Sequence, residues 1–245
     1  MPAGLCPLDT TLRPEVQVNG QMLEAPQVQA DGSWKVLLME RAGRWAVVHS
    51  FADGQLGKRH GLQGPIDDAF MDSFIMIEPS GQAANEVIGR WTTNEMAKAV
   101  AEWRKQFRGE PKIKRDDQVT DGDIAAHNLI LWGDPRSNKL IGRIADKLPI
   151  VWDAKSVRRG KESLDSTHHL PVLIYPNPLN PQRYVVLNSG FTFAHPRSTS
   201  NADQTPKLPD YAVVDIDGPP AVGVNGEVVE AGFFDEQWRL PVEPQ

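Results

Sequence analysis

The chain has 245 residues, 40% hydrophobic and 24% charged, enough to bury a core in one large or two small domains and too apolar for a disordered chain. Its 20 prolines exceed the ~5% of an average chain and, with 20 glycines, argue against an all-helical bundle and for short elements joined by many turns. A net charge of −6 with scattered basic residues excludes an electrostatic footprint for nucleic acid or an anionic membrane, no apolar run reaches the ~20 residues of a membrane span, and a single cysteine, Cys6, excludes a disulfide framework or Cys-rich metal site. Residues 1–12 show neither a charged n-region nor an apolar h-region, so a cytoplasmic product is expected, with a secreted parent protein left open. The clustered Pro2, Pro7 and Pro14 read as though the start fell inside a longer frame.

Along residues 14–50, Val16 and Val18 precede an Asn19-Gly20 turn and then Met22 and Leu23, a strong hairpin signal because both turn residues tolerate positive φ. Residues 34–39 and 44–48 flank Arg41-Ala42-Gly43 as a second hairpin. A small antiparallel β unit is therefore expected over 14–57. After a Gly-rich connection, the unbroken run Phe74 to Ile77 reads as a buried strand. The Thr92/Glu95 capping box then opens a helix with Met96, Ala99, Val100, Trp103 and Phe107 on one face, ended by Gly109 and Pro111. Thr120 and Asp123 cap a short turn before a strand at 129–132. A helix bearing Leu140, Ile141, Ile144 and Leu148 follows, then Pro149 and a third short strand at 150–152. This alternation predicts an α/β fold over 58–200, a three-layer sandwich with a mainly parallel sheet, extended by the apolar runs at 172–175 and 184–187. Residues 201–245 are expected to pack back as an extended segment containing a last strand at 211–216.

The nucleophile elbow, Walker A and dinucleotide fingerprints are absent. Ser189 follows a strand, but Leu187 and Phe191 stand where an elbow needs glycine. His168-His169 lacks a partner at metal-ligand spacing. Residues 117–123 resemble a calcium loop only superficially, since Val119 and Asn128 occupy ligand places, so no metal or cofactor is expected. The densest polar set runs from Lys58 to Ser73, where His60 beside Asp67 and Asp68 offers groups for general acid–base work and Gly61 and Gly64 allow close backbone approach. Gly133, Asp134, Ser137 and Asn138 join a strand's carboxyl end to a helix start, where parallel sheets bind anionic ligands; ordinary capping is the competing use. His60, Asp67, Asp68 and Ser189 are thus the catalytic candidates and Gly133, Asp134, Ser137 and Asn138 the ligand-binding ones. His127 precedes its strand and so belongs to the opposite end.

The strings KRHGLQGPIDDAFMDSF, NLILWGDPRSNKLIGRIADKLPI, LIYPNPLNPQRYVVLNSG and QTPKLPDYAVVD, within about residues 14–240, resemble the carboxy-terminal region of large bacterial prolyl-oligopeptidase-like or α/β-hydrolase-like proteins. In that family the serine-hydrolase signature lies upstream, and this chain lacks it, so no family catalytic residue maps here. The resemblance implies a hydrolase-associated module whose partner is a catalytic α/β-hydrolase domain. The alternatives are an autonomous hydrolase of small esters, lactones or amides with a small-molecule ligand, and, more weakly, a sugar-binding module using Trp34 and Trp45 as a platform.

Overall fold

Asn19 and Gly20 take φ of 48° and 80° and close a hairpin between β1 (Glu15–Val18) and β2 (Gln21–Glu24). Ala42 and Gly43, also at positive φ, do the same between β3 (Leu37–Arg41) and β4 (Arg44–Val48). Gln21 ties the two hairpins together, its Nε2 donating to the Trp45 carbonyl at 2.6 Å and its Oε1 accepting the Trp45 amide at 2.9 Å. These strands belong to a unit over Met1–Gln55; the rest of the fold forms a second unit over Leu56–Gln245. The computed structural model describes residues 1–5, 7–49, 56–193 and 204–241; Cys6, the start of the Gly-rich connection and most of the polar stretch after Ala194 lie outside them.

The second unit is built on a seven-stranded sheet of order β14-β13-β11-β12-β7-β5-β6. Its parallel part is β12 (Asn180–Leu187), β7 (Asn128–Leu131), β5 (Phe74–Glu78) and β6 (Ile113–Arg115). Its antiparallel part adds β11 (His169–Asn177), β13 (Tyr211–Asp215) and β14 (Glu227–Gly232). The expected three-layer sandwich with a mainly parallel sheet is therefore wrong: the sheet is mixed. The reason is loop length. Only Pro178 and Leu179 separate β11 from β12, and a parallel return needs a crossover of about a dozen residues. The expected third strand of the parallel series, β8 (Val151–Trp152), leaves the main sheet and pairs with β9 (Ser156–Arg159), which pairs with β10 (Glu162–Asp165).

Helical cover is also thinner than a sandwich needs. One long helix, α1 (Glu86–Phe107), packs on the face bearing Phe74, whose ring meets Trp103 at 4.7 Å, while α2 (Asp121–Ala126) and α3 (Lys139–Ile144) have six residues each. α1 begins at Asn85, whose side chain caps the Ile88 amide at 2.8 Å, about two turns before the expected Thr92/Glu95 box; both of those residues are buried within the helix. The Thr120/Asp123 capping box does form, with Thr120 Oγ1 accepting the Asp123 amide and Asp123 Oδ2 accepting the Thr120 amide. Central strands are buried on both faces: Ile75, Met76, Ile77, Leu129, Ile130 and Leu131 have no exposure. Leu140, Ile144 and Leu148 are buried as their stripe predicts and Trp103 partly so; Phe107 instead stays 43% exposed at the rim of an aromatic cluster with Trp103, Phe191 and Phe193.

Candidate functional site

The parallel strands end together where the turn after β7 meets the start of α3, and four buried side chains close that end. Gly133 takes φ +113°, and a Cβ there would come within 2.6 Å of Ser137 Oγ, so only glycine fits. Asn188, just after β12, accepts the Gly133 amide at 2.9 Å and donates to the Gly133 carbonyl at 3.0 Å, clasping two strand ends. Asp134 accepts the amides of Arg136 and Ser137 with one oxygen and that of Ala84 with the other; its own amide donates to Ser137 Oγ. Asn138, fully buried, caps α3 by accepting from Leu140 and Ile141 and donates its Nδ2 to the Trp132 and Ile77 carbonyls. Gly133, Asp134, Ser137 and Asn138 are therefore brought together, and the amides of Gly133, Asp134, Arg136 and Ser137 already donate to the protein's own side chains.

The catalytic candidates are placed separately. His60 sits exposed at the tip of a tight turn in which Arg59 and Leu62 exchange backbone hydrogen bonds. The 3-10 turn Ile66–Phe70 sends its two aspartates to different partners. Asp67 is buried and accepts from the Thr192 amide and from its hydroxyl, the latter at 2.5 Å; burial pushes its carboxyl up. Asp68, half-buried, accepts the Tyr184 hydroxyl at 2.5 Å, and burial together with this carboxylate pushes the phenol well above its usual range. Ser189 is buried and donates to the Gly190 carbonyl at 2.8 Å. No two of these four side chains hydrogen-bond each other among the described residues. Lys58 pairs instead with the buried Asp210 at 2.5 Å and lies over the Trp238 ring, locking the start of this loop. Gly64 must lack a side chain there, since a Cβ would reach within 2.1 Å of Asp210 Oδ1. In the first unit, Trp34 and Trp45 are half-buried and Trp34 Nε1 donates to the Pro26 carbonyl.

The opposite end of the sheet holds a contact that the sequence reading missed. Ser73 Oγ lies 2.6 Å from His127 Nδ1. The register brings them together: Phe74 pairs with Asn128 in parallel, so the residue before each strand stands beside the other. Burial and then the Lys112 ammonium, 3.5 Å from Nε2, hold His127 below its usual range. Lys114 and Lys112 pair with Asp123, and Arg183 with Asp72 at 2.5 Å. The tautomer decides what this pair can do. With Nδ1 unprotonated, His127 accepts the serine proton; with Lys112 donating to Nε2, Nδ1–H donates to Ser73 and no base remains.

Comparison with protein-family models, curated proteins and solved structures finds no match for this chain. Among the described residues no group of three or more His, Cys, Asp or Glu is placed to hold a metal ion, and no helix is long and apolar enough to cross a membrane.

Proposed function

We propose that this chain is a non-catalytic module that docks on or positions a serine-hydrolase catalytic domain, as its resemblance to the carboxy-terminal region of prolyl-oligopeptidase-like proteins implies. The observation that supports it is the use of polar groups at the strand carboxyl ends: Asp134, Ser137, Asn138 and Asn188 are buried and spent on holding strand ends and helix starts. Purified protein should then leave p-nitrophenyl acetate and γ-butyrolactone at the buffer rate, and should co-elute with a serine-hydrolase domain encoded upstream in the same reading frame. Turnover lost in His60→Ala, Asp68→Ala or Ser189→Ala would overturn this.

A second reading, an autonomous hydrolase of small esters, lactones or amides, is favoured by the Ser73–His127 contact. The Ser73 oxygen would bond the ester carbonyl carbon while Nδ1 takes its proton; the C–O bond to the alcohol then breaks and the imidazolium returns that proton to the leaving oxygen, with Lys112 and no carboxylate at Nε2 among the described residues. Ester turnover abolished by Ser73→Ala and by His127→Ala would establish it.

A further inference from the structure

Beside the closed strand ends, α1 and the end of β5 enclose a groove of about 410 Å³, within the ~300–1,000 Å³ range of small-molecule sites. Its walls are apolar along Pro79, Met96 and Val100, with Thr92 and Glu78 at one end and Arg104 toward the other. The strand sets this up. Phe74 faces α1 through Trp103, and the two-residue alternation of β5 puts Glu78 on that same face. Arg104 is already neutralised, its Nε lying 3.0 and 2.8 Å from the two Glu110 carboxylate oxygens. Arg115 stands opposite Glu78 in the β5–β6 register, but its guanidinium bonds Asp117 at 3.0 Å. Half-buried Glu78 therefore has no ion pair and no side-chain hydrogen bond among the described residues. Thr92, 3% exposed, also lines the groove, and its buried Oγ1 has no hydrogen-bond partner, whereas the neighbouring Thr93 bonds back to the Gly89 carbonyl. Glu78 is thus an unpaired charge beside an otherwise apolar wall, which a bound cation would neutralise.

We propose that this groove binds a small amphipathic amine, its apolar body against Pro79, Met96 and Val100 and its ammonium paired with Glu78. The charge left uncompensated in the groove is negative, and that selects an organic cation over a neutral or anionic molecule of the same shape. This inference goes beyond the module reading and does not depend on it.

The test is a titration of ¹⁵N-labelled protein with hexylammonium, hexanol and hexanoate, followed through backbone amides from Thr92 to Val100. Hexylammonium should shift these amides with a Kd in the millimolar range, as expected of so small a ligand, and bind about tenfold or more tighter than the other two. Glu78→Gln, which removes no side-chain hydrogen bond or ion pair among the described residues, should abolish that preference; Ala97→Leu, which adds bulk to an exposed position on the groove lining, should block all binding. Equal binding of hexanol or hexanoate, an unchanged preference in a folded Glu78→Gln protein, or no shift of these amides at about 20 mM hexylammonium would overturn the proposal.

Discussion

The two ends of the parallel strands solve the same problem with different chemistry. At the carboxyl end, Asn138, Asn188 and Ser137 are buried and satisfied by backbone amides and carbonyls, with Asp134 the one charged member. At the amino end, Asp72, Ser73, Lys112 and His127 stay exposed or half-exposed, and ion pairs to Arg183 and Asp123 add to the buried Asn128 clasp of Ala69 and Tyr184. Amide clasps depend little on salt or pH; ion pairs and histidine depend on both. The end where topology alone places a ligand is thus sealed by capping, and titratable groups stay in contact with solvent at the other.

The largest effect expected is an apolar yardstick for the carboxyl end. Ile144→Ala should cost about 2 to 5 kcal/mol, since Ile144 of α3 is fully buried. A loss under about 0.5 kcal/mol by urea unfolding would show α3 to be loosely held. Asn138→Ala should cost about 2 to 3 kcal/mol by stripping the cap from Leu140 and Ile141 and leaving the Trp132 carbonyl short of a donor. That loss should not change between pH 4 and pH 8; a strong pH dependence would break the contrast. Asp123→Asn at the amino end should cost about 2 kcal/mol at pH 7. Lys114 and then the Thr120 amide hold the Asp123 carboxyl well below the usual carboxylate range, so its contribution is present above the unfolded value of about 3.9 and is lost as pH falls toward the folded one. Wild-type and variant stabilities should therefore converge on acidification. Lys112→Ala should let the His127 pKa rise toward about 6.5, read by NMR titration of its ring protons; no movement would mean that burial, with Arg183 and Lys114, depresses it without Lys112. Ser73→Ala, at an exposed position, should change stability by less than about 0.5 kcal/mol.

Local signals carried much of the fold. Asn19-Gly20 places a hairpin because positive φ is a property of those residues, and Thr120 with Asp123 places a helix start because both bonds close within four residues. The apolar run at 74–77 and the stripe through Leu140, Ile141 and Ile144 mark burial for the same reason: periodicity is written in adjacent residues. α1 shows the limit of such signals. Thr92 and Glu95 satisfy the pattern of a capping box, yet Asn85 takes the cap six residues after Pro79 and leaves both side chains buried along the helix.

Strand order and direction belong to the tertiary structure. β11 and β12 look like further parallel strands when only their apolar runs are read, and their two-residue connection makes that pair antiparallel. The same holds at the candidate sites. Asp67 and Asp68 are neighbours in sequence, but segments more than a hundred residues away decide that one is buried against Thr192, with burial pushing its carboxyl up, and that the other receives the Tyr184 phenol. Residue type fixes what a side chain can donate or accept. Which partner it meets, and so whether Ser73 faces a histidine or Glu78 faces an apolar groove, depends on chain segments brought together by burying the sheet, a long-range energy that no local pattern encodes.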